Sequence, residues 1–342
     1  MSNPGKIAAV VNPQSAGGRT AHEWPQLASM IEKRLGRFTA RFTSGQGSGI
    51  AITRGLLREG FDLIIAVGGD GTVNEAANGF FDNGRLVRPD ATLGILPLGT
   101  GGDFRRMLGV PADVPGAIDV LAAGVRAQID VGKATFRDNS GGQASRYFVN
   151  LTSFGMGGHV AAHSKNFMGW FGGRAAFFWA TIKTFLTYHG RQVNLLLDES
   201  STRLPFFITN VAIGNGQYHG GGMRPCPAAV PNDGVFDVTV IEYAGALRLL
   251  SSISMLYSGE VYAHPKVRHF EAARIRAEAS SATEIEIDGE PLGTLPLEIT
   301  IQPRQLHVLV SHSSPLAGNS EMLEERKTVS QKNSLGCFSN PG

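Results

Sequence analysis

The stretch Asp62–Thr72, DLIIAVGGDGT, decides how the chain is read. Asp62–Val67 is a short, β-branched apolar run, the mark of a buried strand. Gly68-Gly69-Asp70-Gly71 follows at once, and Thr72–Phe81 carries a helical pattern. Thr72 is a good N-cap for that helix, with Glu75 three residues on as its capping-box partner. Glycines between a strand and a helix let backbone N–H groups close on phosphate oxygens, and the helix N-terminus favours their charge. Asp70 repels such a ligand unless a magnesium ion and its waters lie between them. A plain glycine turn, with Asp70 merely capping a helix, is the other reading of the same residues.

Outward from this unit the pattern repeats. Lys6–Val11 reads as a strand ending at Asn12-Pro13, and His22–Leu35 as a helix with Pro25 in its first turn. Phe38–Thr43 is a second strand, Gly49–Glu59 a helix, and Thr92–Leu96 a further strand followed by Pro97–Gly102. Such alternation predicts a parallel sheet flanked by helices, with any ligand at the carboxyl ends of the strands. Three loops fall there: Asn12–Gly18, Gly68–Thr72, and Pro97–Gly102, where Thr100 offers a hydroxyl. Asp103 reads as a helix cap before it reads as catalytic.

After Gly124 the rhythm changes. Gln128–Phe136, Arg146–Leu151, Gln192–Leu197, Leu204–Gly214, Val235–Glu242, Val267–Glu278, Glu284–Asp288 and Leu295–Val310 read as strands. Helical patterns intervene at Ala175–Tyr188 and Ala246–Leu256. The first of these is strongly aromatic; packing against a sheet is the preferred reading over an acyl-chain path or a membrane-facing surface. The expected fold is an α/β domain over residues 1–126 and a mostly antiparallel β-sandwich over 127–312. From Ser313 the chain turns polar, and 313–342 is expected to be a disordered tail.

Composition bounds the rest. The 342 residues are 42% hydrophobic, enough for ordinary cores, and Gly (44) with Pro (17) stays below the level that marks disorder. A net charge of +2 gives no general argument for nucleic acid. Cys226 and Cys337 are too few for a disulfide framework. Met1–Gly5 lacks the features of a secretion signal, and the longest apolar stretch, Ala175–Leu186, falls short of the ~20 residues that span a bilayer. The expectation is a cytoplasmic protein without a transmembrane segment, touching at most the inner membrane face. Oligomeric state is not legible, and a homodimer stays open.

No Gly-Lys-Ser/Thr P-loop or dinucleotide G-x-G-x-x-G occurs in the right place, so phosphate is held by another loop type. In Ile285–Glu290 (IEIDGE), alternation puts Glu286 and Asp288 on one face, and the Gly289 turn carries Glu290 to the strand end. A carboxylate there can accept a proton from a hydroxyl undergoing phosphoryl transfer; an ordinary Asp-Gly hairpin is the other reading. Asn232-Asp233-Gly234 divides likewise between a hairpin turn and a ligand for a hard cation.

Taken together, GGDGTVNE (Gly68–Glu75) and LPLGTGGDFRR (Leu96–Arg106) resemble the diacylglycerol kinase catalytic domain of bacterial lipid kinases, sphingosine kinases and ceramide kinases. NPQSAGG (Asn12–Gly18), NGQYHGGGMRPCPAAVPNDGVFDV (Asn215–Val238) and IDGEPLG (Ile287–Gly293) resemble its other motifs, in the family's order. The resemblance implies an ATP-binding N-terminal domain of the NAD kinase/diacylglycerol kinase type, a C-terminal β-sandwich, and a cleft between them. It implies a magnesium-dependent kinase acting on a diacylglycerol-like or sphingoid lipid from a membrane surface. Asn12, Thr43, Gly68, Gly69, Asp70, Gly71, Thr72, Val73, Asn74 and Thr100 are the implied ATP contacts. Glu290 is the implied proton acceptor, with Asp70 and Asp288 as further catalytic acids. Asp233 and the carbonyls of Val230 and Val235 are the implied accessory magnesium ligands. Two positions depart from the family pattern: Gly102 stands where Asn is usual, which removes a side-chain hydrogen bond, and Ala16 stands where Gly is common, a milder change. An NAD kinase, which shares the GGDGT loop, and a non-catalytic nucleotide- or lipid-binding regulator are the rival readings.

Overall fold

The computed structural model describes residues 5–99, 102–164, 188–245 and 254–318. Its first half runs β1 (Ile7–Val11), α1 (Arg19–Leu35), β2 (Thr39–Phe42), α2 (Ser48–Arg58), β3 (Leu63–Gly68), α3 (Asp70–Gly79), β4 (Phe81–Asp82), β5 (Arg85–Leu86), β6 (Thr92–Pro97), α4 (Asp103–Met107) and α5 (Val114–Ala123). The apolar runs behave as their composition dictates. β6, β3, β1 and β2 lie side by side and parallel. Ala8–Val11 and Ile64–Val67 are wholly buried, because helices such as α1, through Leu27 and Ile31, and α2, through Leu56 and Leu57, cover the sheet. α1 begins three residues earlier than its periodicity suggests, so Pro25 sits inside the helix and not in its first turn.

The second half runs β7 (Val125–Asp138), β8 (Gln143–Phe148), β9 (Leu151–Gly155), α6 (Met156–Ser164), β10 (Arg191–Leu197), β11 (Leu204–Gly214), β12 (Phe236–Glu242), β13 (Val267–Ala272), β14 (Arg274–Ala279), β15 (Glu284–Ile287) and β16 (Glu290–Val310). All pairings within this half are antiparallel. β9, β15, β16, β14, β10 and β11 pair in a closed circuit around a core that includes Phe148, Phe154, Phe236 and Ile299. Most of the aromatic segment Ala175–Tyr188 and of Ala246–Leu256 lies outside the described residues.

Two expected strands are broken, each by a carboxylate. Arg146–Leu151 divides into β8 and β9 because the amides of Val149, Asn150 and Leu151 donate to Asp288 instead of continuing a ladder. Val267–Glu278 divides at Ala273, where Ala273 and Arg274 donate to Asp198 Oδ1 at 2.7 and 3.0 Å. The break lets β13 pair with β12 while β14 pairs with β10 and β16.

The halves are stitched together. β16 returns to lie parallel to β6, with His307 opposite Thr92, and the start of β7 pairs with that returning end. Ala127, Ile129 and Val131 consequently pack in the first core with Leu306, Val308 and Val310. A cut at 126/127 therefore passes through β7, short of where the cores part. The expected tail also starts late: Ser314 and Leu316 are buried, and the Ser314 hydroxyl accepts from the Leu316 amide. Residues 319–342 lie outside the described set.

Candidate active site

The three parallel-sheet loops and the β15–β16 hairpin meet around a cleft of about 590 Å³. Among the sequence-derived candidates, Asn12, Thr43, Gly69, Asp70, Gly71, Thr72 and Glu290 line it. Gly68 and Val73 face a smaller hollow on the other side of the loop, with Gly102, Arg105 and Arg106. Asn74 is buried behind. Thr100 is outside the described residues. Val230, Asp233 and Val235 line neither cavity.

Local bonding ties the loops to one another. Asn12 Nδ2 donates to Thr72 Oγ1 at 3.2 Å, joining the first loop to the second. Leu98 N donates to Gly68 O at 2.8 Å, joining the second to the third. The capping differs from the sequence reading. Gly69 is the N-cap of α3, so Thr72 lies inside the first turn. Glu75 does not reach back to it; its two oxygens accept from Gly47 N (2.6 Å) and Gly49 N (2.8 Å) and so cap α2. Asp70 in turn accepts from the amides of Gly102, Asp103 and Phe104 at 2.8, 3.2 and 3.4 Å, which makes it the cap of α4. Gly102 holds φ +75°, the left-handed region where Asn is the other residue commonly tolerated. The departure at this position thus keeps the backbone geometry.

Asp103 does not cap α4. Its carboxylate crosses to the second half of the chain, where Oδ2 accepts from Gly221 N at 2.8 Å. Oδ1 is buried and has no hydrogen-bond partner among the described residues. Burial pushes this carboxyl up, and Asp70 adds repulsion that Gly221, His219 and Arg106 oppose. Beside it, His219 Nε2 lies 2.8 Å from Glu286 Oε1, which also accepts from Ser153 Oγ at 2.7 Å. Burial works against the imidazolium, but Glu286 prevails and pushes His219 up to about 9.

Asp288 and Glu290 flank the same tight turn. Asp288 (φ +48°) and Gly289 (φ +84°) form a two-residue hairpin that leaves Ile287 opposite Glu290, so the Asp-Gly hairpin and the functional reading coexist. The Asp288 carboxylate is buried and saturated: Oδ1 accepts from Asn150 N and Leu151 N, Oδ2 from Asn74 Nδ2 and Val149 N. Its lone pairs are spent on structure, so it anchors the turn instead of facing a ligand. Glu290 lines the cleft, accepts from Gln46 Nε2, and stands so near Gly71 that a Cβ there would lie 3.2 Å from its Oε1. The loop after β3 and the strand end 220 residues later thus share one wall.

Asp233 is exposed on a turn whose Gly234 N donates to Asp130 Oδ2 at 2.8 Å. Packing of the turn, with Asp237, Asp130 and Glu271 adding repulsion, pushes its carboxyl up to about 7. Acids crowded in this way, beside peptide carbonyls, fit a hard divalent cation. Among the described residues no three His, Cys, Asp or Glu side chains converge to ligate a metal unaided.

Gln46, Arg146 and His219 escape the sequence reading, and Glu75 enters it only as a capping residue of the wrong helix. Gln46 had a signal, since Gly45-Gln46-Gly47 is another glycine-marked loop after a parallel strand. Arg146 had none: it is one polar residue of an alternating strand.

Comparison with known proteins agrees with this arrangement. Residues 6–134 match the diacylglycerol kinase catalytic domain, and residues 150–310 match the YegS C-terminal NAD kinase beta sandwich-like domain. The chain is 30% identical over 290 residues to a Pseudomonas syringae protein named "Probable lipid kinase YegS-like", covering 83% of this chain and 87% of that one. It is 28% identical over 300 residues to a Staphylococcus aureus protein (strain MRSA252) named diacylglycerol kinase, covering 87% and 90%. The crystal structure of a diacylglycerol kinase from Bacillus anthracis Sterne superposes with a TM-score of 0.65 at 21% identity over 91% of this chain and 98% of that one, a likeness of fold. With both halves matched in order and the acid-bearing loops gathered on one cleft, the chain belongs to the diacylglycerol kinase-like family of lipid kinases.

Proposed function

We propose that the chain transfers the γ-phosphoryl group of ATP to a hydroxyl of a diacylglycerol-like or sphingoid lipid. The observation that carries this reading is the shared cleft: Asp70 and Glu290 line one cavity together with the loops at Asn12, Thr43 and Gly69–Thr72. In this reading the loop Gly69–Thr72, with Asn12, Thr43 and Thr100, holds the nucleotide, the α3 N-terminus facing its phosphates, while Gly68, Val73 and Asn74 shape the loop from behind. Glu290 takes the proton of the lipid hydroxyl as the oxygen attacks phosphorus; Gln46 orients it. Asp288 positions rather than catalyses.

Phosphoryl transfer is chiefly positioning and charge neutralisation. The buried Asp103 Oδ1, unpartnered among the described residues and next to Asp70, fits a hydrated cation. Asp70 and Asp103 would hold magnesium there, and Asp233 with the Val230 and Val235 carbonyls a second ion; the metal supplies charge neutralisation at the phosphates. The proposed setting is cytoplasmic, with the lipid taken from a membrane surface; among the described residues no helix is long and apolar enough to cross a membrane.

The test is incubation of the pure protein with labelled ATP, magnesium and a panel of defined lipids: diacylglycerol, monoacylglycerol, phosphatidylglycerol, sphingosine and ceramide. Label transferred to at least one of them is expected. Transfer to none of them, with transfer to NAD, would replace this reading by the NAD kinase one.

A further inference from the structure

Among the described residues the lining of the cleft is short of positive charge, and Arg105 and Arg106 face the adjoining hollow instead. The described lining of the cleft carries the carboxylates of Asp70, Glu75 and Glu290 and not one lysine or arginine. A triphosphate placed among those acids needs a cation from the protein as well as from metal.

Arg146, on β8, is in place to supply it. The side chain is half-buried, and its Nε donates to Asn74 Oδ1 at 2.9 Å. Asn74 Nδ2 in turn donates to Asp288 Oδ2 at 2.8 Å, so the guanidinium is indexed to the same anchor that sets the Glu290 turn. Burial disfavours the guanidinium's charge, while Glu75, Glu290 and Asp288 favour it.

None of those three carboxylates uses Arg146 as a hydrogen-bonded partner. Glu75 is taken by Gly47 N and Gly49 N, Glu290 accepts from Gln46, and Asp288 holds four donors. Among the described residues no carboxylate forms an ion pair with Arg146. Arg146 lines neither cavity, but it is a partly buried cation held by one nitrogen, with no hydrogen bond to its terminal nitrogens among the described residues, and it lies within electrostatic reach of the cleft acids Glu75 and Glu290; such a group is arranged for an incoming anion. Planar, two-pronged donation suits phosphate oxygens.

We propose that Arg146 contacts the terminal phosphate of the bound nucleotide and neutralises charge on the group being transferred. The inference rests on ATP occupying this cleft and on Glu290 marking the reacting end. It makes Arg146 a catalytic residue contributed by the second half of the chain, so the cationic part of the site is completed only when both halves are assembled.

The experiment compares binding of ADP and of the non-hydrolysable analogue AMP-PNP, each with magnesium, to the wild type, Arg146→Gln and Arg146→Lys. A contact confined to the terminal phosphate weakens AMP-PNP by about 10-fold or more in Arg146→Gln and leaves ADP within about 2-fold. Arg146→Lys, which keeps the charge and loses the planar fork, should recover part of the preference. Turnover in Arg146→Gln should fall by about 10³-fold, the low end for a transition-state arginine. Equal weakening of both nucleotides, or no change in either, would overturn the proposal. Should Arg146→Gln fail to fold, an unchanged AMP-PNP preference in Arg146→Lys overturns it just as well. The binding comparison needs no acceptor, so its outcome is separate from that of the lipid panel: a protein that phosphorylates no lipid can still show or lack the Arg146 contact.

Discussion

Two acid–glycine turns, Asp288-Gly289 and Asp233-Gly234, look alike as sequence and come to opposite ends. Both contain a glycine at positive φ, +84° and +85°. Asp288 is buried, with two donors on each oxygen, and every lone pair goes to holding Glu290 at the cleft. Asp233 is exposed, accepts one local bond from Val235 N at 3.2 Å, and sits among other acids. The same dipeptide therefore makes a rigid bracket where donors converge on it, and a carboxyl crowded by like charges where acids do. Burial and the supply of donors, not the turn, decide which.

The largest effect that can break this contrast is expected next to the bracket. Glu290→Gln should lower turnover by about 10²–10⁴-fold, the usual worth of general-base assistance, with an unchanged melting temperature. Steady-state kinetics on the lipid that accepts label checks it; near-normal turnover would remove Glu290 from the proton transfer.

Asp288→Ala should act through the fold. Leaving Asn74 and three amides without their acceptor is expected to destabilise by at least about 3 kcal/mol. Urea unfolding measures this directly. A loss under about 1 kcal/mol would show that the bracket is dispensable, and the two turns would then not differ as described.

Asp233→Ala should show itself through metal and through the pH dependence of stability. Burial of the turn and its neighbouring acids push this carboxyl up to about 7 from an ordinary 3.8, so protonation favours the folded state. That contribution is whole below about pH 3.8 and is lost as the pH rises through about 7. Magnesium bound to the ionised turn should raise the melting temperature at pH 8 and do little at pH 5, and chelation should reverse it. Asp233→Asn should erase the difference between the two pH values. A magnesium response equal at both would detach Asp233 from the ion.

The smallest effect lies in the first loop. Ala16 holds φ +54°, so a non-glycine residue sits in a left-handed position and carries some backbone strain. Ala16→Gly should relieve that strain against a gain in unfolded-chain freedom, for a net change between zero and about 1 kcal/mol in favour of the fold. Calorimetry resolves this, and destabilisation would mean that the loop tolerates alanine better than its backbone suggests.

Much of the fold was legible, for one physical reason. Strands such as Ile7–Val11 and Leu204–Gly214 are buried enough that periodicity and β-branching report them within a residue or two. What failed were the places where a distant polar group overrules local preference. Arg146–Leu151 reads as one strand until Asp288 takes three of its amides, and Thr72 reads as a cap until Asp70 and Glu75 are found capping the helices next to their own. The acids of the cleft were visible as motifs, because glycine loops and an acid-bearing hairpin are local patterns. Gln46, Asp103 and Arg146 take their roles from partners 244, 118 and 72 positions away.

The sequence by itself determined the strand–glycine–helix units, the change to antiparallel pairing after Gly124, and which residue types stand at the strand ends, since these depend on neighbours within a few positions. Only the tertiary structure decided which carboxylates face the cleft and which are consumed as brackets. A carboxylate's role depends on how many donors the folded backbone aims at it, and those donors come from stretches far apart in the chain.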